Sequence, residues 1–189
     1  MTDKIKTALY NRNRKTISSK GLVAAAILIP LLHKDNTLNI LFTKRSKWVE
    51  HHKNEISFPG GTFDKTDKDL LDCALRECEE EIGLIKDDVN ILGMLDDFRT
   101  MVTHFVVSPF VGYIPYPYSF KISEKEIDEI IIIPISFLTD PSNYMLTEKI
   151  GSDNTKYIIH NFHYKHHTIW GATAYILKQF LDIFIEINN

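Results

Sequence analysis

The apolar positions of this chain fall into runs with two distinct periods. Leu22 to Ile29 is continuously apolar, as a strand covered on both faces would be, and Pro30 is expected to end it. Leu38 to Thr43 forms a second strand after the turn signal Asp35-Asn36, so the two are expected to pair as a hairpin. From Leu71 the period changes. At about 100° per residue, Leu71, Ala74, Leu75, Cys78 and Ile82 share one stripe, which predicts a core-facing helix closed by Gly83. Val89 to Leu95 and Thr100 to Tyr113, with Val102, Phe105, Val106, Val107, Phe110 and Val111, are rich in β-formers, and Asp96, Asp97 and Arg99 lie between them as a polar connection. Ile130 to Ile133 is a further strand, Pro134 opens a short helix, Lys156 to Phe162 alternates as a strand, and Trp170 to Ile187 is periodic as a long packed helix. Strands and helices in this order predict an α/β fold, an α/β/α sandwich with a mixed β-sheet.

Composition narrows the setting. A chain of 189 residues with 44% apolar and 25% charged residues suits one domain, burying roughly 70% of the surface its unfolded chain would expose. Residues 21–189 are taken as that domain and residues 1–20, with Lys4, Lys6, Arg12, Arg14, Lys15 and Lys20, as a solvated basic segment before it. A formal net charge of −3 provides no general field for nucleic acid, so an anionic substrate must meet local Lys, Arg or metal. Val23 to Leu32 is about half the apolar length a bilayer requires, and no signal-peptide pattern precedes it. No membrane partner is expected. Cys73 and Cys78, on different sides of one predicted helix, are expected as reduced thiols, which suits the cytoplasm.

The chemistry concentrates beside the helical stripe. Glu77 and Glu81 are i and i+4 neighbours and Glu80 sits one position round from Glu81, so the three carboxylates repel and raise one another's pKa unless a cation joins them. A hard divalent ion, Mg²⁺ or Mn²⁺, suits such an oxygen set and often works on phosphates. Pro59-Gly60-Gly61 precedes the helix, and glycine there lets backbone approach a ligand with no Cβ in the way. Lys44, Arg45 and Lys47 form a basic patch just ahead of that turn, joined by His51 and His52. His160, His163, His166 and His167 cluster in sequence, but their spacing fits no tight helical or hairpin zinc set. The tyrosines of Tyr113-Ile114-Pro115-Tyr116-Pro117-Tyr118 are expected to pack over the sheet edge.

Arg76-Glu77-Cys78, then Glu80-Glu81, then Gly83-Leu84, resembles the second half of the Nudix box, the signature of hydrolases of nucleoside diphosphates linked to another group. In the first half Gly61 stands one residue further upstream than the pattern has it, and Lys68 occupies the place of its first Glu, for which Asp67 or Asp69 could substitute. Leu41-Phe42-Thr43-Lys44-Arg45-Ser46, ten residues, then Ser57-Phe58-Pro59-Gly60-Gly61 resembles the signature of coenzyme A diphosphatases, with Glu50, Asn54 and Glu55 where that pattern has Arg, Gly and Gln. Glu126-Ile127-Asp128-Glu129-Ile130 and Ile169-Trp170-Gly171-Ala172-Thr173-Ala174 resemble further segments of those enzymes.

The resemblance implies the Nudix fold and a Mg²⁺- or Mn²⁺-dependent diphosphatase. Glu77, Glu80, Glu81 and Gly61 would hold the metal, and Glu80, Glu126 and Arg76 would serve catalysis, with Glu129 second to Glu126 as base and Arg76 orienting glutamates or the preceding loop. Lys44, Arg45, Gly60 and Gly61 would bind substrate. The implied partner is a small-molecule nucleotide, coenzyme A or its thioesters, with a homodimer as the candidate assembly. The alternatives are hydrolysis of an ADP-sugar, dinucleotide or nucleoside triphosphate, or a module of this fold that binds a nucleotide without turnover.

Overall fold

The computed structural model of the chain describes residues 1–49, 52–100, 103–150 and 156–188. Glu50, His51 and Val102, singled out from the sequence, lie outside the described residues. Strands β1 (Val23–Lys34) and β2 (Thr37–Arg45) form the expected hairpin, in register from Leu31 opposite Ile40 to Lys34 opposite Thr37. Asp35 and Asn36 turn it at φ of 52° and 60°, the left-handed pair that matches strand twist and that Asp and Asn tolerate.

Pro30 does not end β1, which continues to Lys34. Leu28 N donates to Pro59 O and Phe63 N donates to Ala24 O, so even-numbered residues of β1 turn their backbone groups towards β4 (Gly60–Thr62). On that side the partner changes from β4, last in register at Ile27, to β2, first in register at Leu31. Pro30 stands at the changeover, where a missing N–H breaks no ladder bond.

The main sheet runs β3 (Ile56–Ser57), β2, β1, β7 (Phe105–Tyr113), β5 (Asn90–Met94). β1 and β7 are parallel, from Val23 opposite Phe105 to Leu31 opposite Tyr113, and the other pairs are antiparallel, so the sheet is mixed. β8 (Ile127–Pro134) lies along the free side of β2. The strand expected from Thr100 to Tyr113 is interrupted. β6 (Phe98–Arg99) folds back on Val106 and Val107 of β7, so part of the expected polar connection is itself paired.

One face of this sheet buries Ala26, Leu28, Leu41 and Phe110 under helix α2 (Leu70–Ile82). The other buries Ile29, Leu31, Ile40, Phe42, Ile131 and Ile133 under α1 (Thr2–Asn11), α3 (Ile135–Leu138) and α4 (Gly171–Glu186). The result is the α/β/α sandwich. A second, antiparallel sheet of β9 (Tyr144–Ile150), β10 (Lys156–Tyr164) and β11 (His167–Trp170) joins the second face through Phe162 and Ile169. The sequence did not suggest β9 or β11, since β9 is mostly exposed and lacks an alternating apolar face.

The opening segment is not solvated throughout. Ile5 and Leu9 of α1 are buried in the core, and a Cβ on Gly93 would lie 2.6 Å from Leu9 Cβ, so the helix seats on bare backbone of β5. The residues after α1 are tied to the Asp96-Asp97 connection: Arg12 pairs with Asp96 at 2.8 Å, Arg14 pairs with Asp97, and Ile17 N donates to Asp97 at 2.9 Å. Among the described residues, no helix is long and apolar enough to cross a membrane.

Candidate active site

Helix α2 is well terminated. Asp69 caps its start by accepting from Asp72 N at 2.8 Å, and Gly83, at φ 67°, closes it with its N–H on Glu79 O. Its buried stripe is Cys73, Ala74, Cys78, Glu81 and Ile82, so Leu75 is only half buried and an acid lies in the stripe instead. Both cysteines are free and share one apolar cluster, where burial pushes the Cys73 thiol up to about 12 and Cys78 upward as well. Past the end of α2, Lys121 N donates to Ile82 O and Ser123 N to Glu81 O, while Glu126 O accepts from Ser46 N at 2.8 Å. This strap carries Glu126 to the helix's carboxylates.

Glu81 is 4% exposed, and burial raises its carboxyl to about 8 despite Arg45 and the Gly60 N–H. Gly60 N donates to Glu81 Oε2 at 3.3 Å and Arg45 Nη1 lies 3.7 Å from Oε1. Burial raises Glu77 too, with Glu80 and Glu126 adding repulsion and Arg76 opposing it. Gly61 explains how Glu77 fits: a Cβ at 61 would sit 2.4 Å from Glu77 Cδ. Gly60, at φ 149°, is equally obliged, since a Cβ there would meet Ala26 O at 2.4 Å. The turn holding both glycines is anchored by Phe58, which is buried and stacks on Phe42 with ring centroids 4.9 Å apart.

Arg76 braces the site from beside it. Its guanidinium donates to Asp67 at 2.7 Å, Glu77 at 2.9 Å, Glu80 at 3.0 Å and Thr62 O at 3.2 Å, joining the turn, the acidic loop and the helix. The side chain is long enough to fold back over the glutamates, as a residue that orients them and the preceding loop must. Asp67 is buried, and its bond to Arg76 holds its carboxyl down at about 2. Of the two aspartates that could replace the missing box Glu, Asp67 therefore meets Arg76 and Asp69 caps the helix. Glu80 sits at the rim with 55% of its side chain exposed.

The basic patch divides. Arg45 turns into the carboxylates and retains a buried Nε with no hydrogen-bond partner among the described residues, whereas Lys44 pairs with Asp128 at 2.9 Å and Lys47 lies over the Trp48 ring. His52 pairs with Glu55 at 2.9 Å. Tyr116 and Tyr118 pack against the α2-side cluster, and Tyr118 donates to Asp88 at 2.8 Å. His160 meets Tyr144 Oη at 2.6 Å and His163 meets Thr168 at 3.2 Å, but His166 and His167 come within reach of Glu129, a grouping that spacing along the chain could not reveal.

Glu77, Glu80, Glu81 and Glu126 are offset by two arginines, Arg45 at 3.7 Å from Glu81 and Arg76 at 2.9 and 3.0 Å from Glu77 and Glu80, which leaves an under-neutralised, hard-oxygen donor set. Glu77, Glu81 and the rim residue Glu80 offer oxygen ligands of the kind that a hard divalent cation takes. The Gly61 carbonyl accepts a weak bond from Cys73 Sγ at 3.7 Å, while the glycine's Cα provides the clearance that Glu77 needs.

Comparison with known proteins agrees with this geometry. A family profile described as the NUDIX domain matches residues 22–140. A protein of Enterobacter sp. (strain 638) named "Uncharacterized Nudix hydrolase NudL" is 34% identical over 157 residues, 82% of this chain and 79% of the relative. One of the same name from Photorhabdus laumondii is 32% identical over 155 residues, 82% and 81% of the two chains. Among solved structures, a C. elegans Ap4A hydrolase binary complex superposes with a TM-score of 0.51 at 18% identity, covering 61% of this chain and 82% of that one. The NUDIX domain of Shewanella oneidensis NrtR complexed with ADP ribose gives 0.51 at 17%, covering 70% and 84%. At these identities the structures speak for the fold alone.

Proposed function

The chain belongs to the Nudix hydrolases, enzymes that act on pyrophosphate bonds, and from this premise we propose that it cleaves the diphosphate of coenzyme A or its thioesters, yielding adenosine 3′,5′-bisphosphate and (acyl-)phosphopantetheine. The observation that supports this reading is the packing of the two halves of the coenzyme A signature. Thr43 lies opposite Ser57 with their hydroxyls 3.2 Å apart, and Arg45 N donates to Glu55 O at 2.9 Å, so Leu41–Ser46 and Ser57–Gly61 form one wall beside Glu81. Asn54, where the signature has Gly, has φ 61°, a conformation that Asn adopts more readily than other side chains do. The spacer thus keeps a glycine-like turn.

Glu77, Glu80 and Glu81, with the Gly61 carbonyl, would hold Mg²⁺ or Mn²⁺. Bound there, the ion supplies neutralisation of the diphosphate's charge and a lowered pKa for the attacking water. The chain's own residues do the rest. Glu126, delivered by the strap, accepts the water's proton, a role that Glu80 at the rim could otherwise fill. Arg76 keeps Glu77 and Glu80 in place as a positioning residue. Arg45, with its unpartnered Nε, and Lys44 meet the phosphates.

A second reading, hydrolysis of an ADP-sugar, dinucleotide or nucleoside triphosphate, is favoured by Glu55, whose carboxylate on His52 replaces the signature's amide. Product analysis of the purified chain with Mg²⁺ or Mn²⁺ against coenzyme A, ADP-ribose, NADH, diadenosine polyphosphates and nucleoside triphosphates separates the two. Adenosine 3′,5′-bisphosphate formed well ahead of other products is expected. Faster cleavage of another compound would overturn the coenzyme A assignment and keep the chemistry, and no turnover of any would favour a binding module.

A further inference from the structure

We propose a second metal site, for a borderline divalent transition ion such as Zn²⁺, built from Glu129, His166 and His167 on the face of the sheet opposite α2. One ligand atom from each lies within 4.8 Å of the others, and His167 Nε2 is 3.8 Å from Glu129 Oε2. Ligand atoms around a tetrahedral zinc sit about 3.3 Å apart, given bonds of about 2.0–2.1 Å. The observed spread therefore closes by rotamer adjustment of Glu129 and His166, both exposed, around the buried His167.

Three elements produce this juxtaposition. The hairpin between β10 and β11 turns through Lys165, at φ 55°, and presents His166 in the turn and His167 as the first residue of β11. β8 lies along the free side of β2 and offers Glu129 from the same side as Ile131 and Ile133, whereas Ile130 and Ile132 pack towards α2. The site is thus separate from Glu77 and Glu81. His167 is only 7% exposed, and its Nε2 faces Glu129 Oε2 across 3.8 Å, a gap too long for a direct hydrogen bond and one that a bridging ion would fill.

The surroundings admit a cation. The three residues line a cleft of about 260 Å³ that also contains Lys34 and Lys165. Those ammonium groups are directed onto aromatic rings, Lys34 over Tyr116 at 5.8 Å and Lys165 over Tyr164 at 5.2 Å. Two imidazoles and one carboxylate select Zn²⁺, Ni²⁺ or Cu²⁺ over Mg²⁺, leaving a fourth position for water. A bound ion would clip the second sheet's hairpin to the edge strand of the main sheet.

The test is titration of chelator-treated protein with Co²⁺ and Zn²⁺ in excess Mg²⁺, which keeps the α2 carboxylates occupied. The expected result is one ion per chain, with visible Co²⁺ d–d bands of a low-coordinate site, shifted imidazole ¹⁵N resonances and a Zn²⁺-dependent rise in unfolding midpoint. His166→Ala, an exposed change unlike His167→Ala, should weaken binding about tenfold or more and leave Mg²⁺-dependent hydrolysis unchanged. Glu77→Gln should bind as the wild type does. Equal affinity in wild type and His166→Ala, no Zn²⁺ or Co²⁺ binding by wild type, or loss of binding in Glu77→Gln would each overturn the proposal.

Discussion

Gly61 and Glu77 compete for one volume: the carboxylate of the helix residue occupies the space where a side chain on the strand residue would begin, 2.4 Å from an ideal Cβ. Gly61 lacks the positive φ that would itself demand glycine, so its lack of a side chain serves the glutamate and not the backbone. Gly61→Ala should therefore fold but push Glu77 aside. A displacement near 1 Å can cost about 10²-fold in rate. Metal-dependent turnover and thermal unfolding measured on the same sample check this; full activity with a normal melting point would show that Glu77 has another place to go.

Glu81 links pH, stability and metal. Its carboxyl titrates at about 8 in the fold against 4.5 as a free group, so between those values the metal-free folded chain binds more protons than the unfolded one. Stability then falls as pH rises from about 5 to 8, by at most about 1.4 kcal/mol per pH unit. Mg²⁺ should offset this loss more at pH 8 than at pH 6. Glu81→Gln should flatten the decline and cut turnover by about 10²-fold or more, the rate equivalent of a few kcal/mol of lost charge stabilisation. Urea unfolding across pH with and without Mg²⁺ gives the answer, and a wild-type profile that rises from pH 5 to 8 without metal would contradict it.

Asp67 works with the opposite sign. Bound to Arg76, its carboxyl is held at about 2 against an ordinary 3.8, so its stabilisation is complete above about pH 4 and disappears as pH falls towards 2. That shift corresponds to about 2 kcal/mol. Asp67→Asn should remove this acid-limb dependence, cost about 1–3 kcal/mol at neutral pH and free Arg76 from the loop. Acid unfolding of the two proteins, followed by circular dichroism, tests it; superimposable curves below pH 4 would assign the acid limb elsewhere.

Leu9 ties α1 to β5 across the bare Cα of Gly93, and it is 5% exposed. Leu9→Ala should cost about 2–5 kcal/mol in denaturant unfolding, as for other buried leucines. A loss below about 0.5 kcal/mol would mean that the helix contributes little to the domain's stability.

The local features of the site were legible in the chain. The period of residues 71–82 specifies a helix, Gly83 marks its end, and the spacing of Glu77 and Glu81 sets two carboxylates side by side, because helix geometry makes i and i+4 neighbours wherever the helix is placed. Asp35-Asn36 likewise determines its turn from side-chain chemistry alone.

What depended on the fold was every relation between distant segments. Nothing local distinguishes Pro30 as a strand end from Pro30 at a change of partners, because the sequence carries no record of where β4 stops and β2 begins. Nor does it show that Glu81 is buried and Glu80 wet, that Asp67 takes up Arg76, or that Ile5 and Leu9 belong to the core. The pairing of Glu129 with His166 and His167 depends on an edge strand and a remote hairpin meeting. Periodicity and capping act over a few residues and are set by the chain itself; burial, charge pairing and ligand geometry act across the sheet and exist only once its strands have chosen their neighbours.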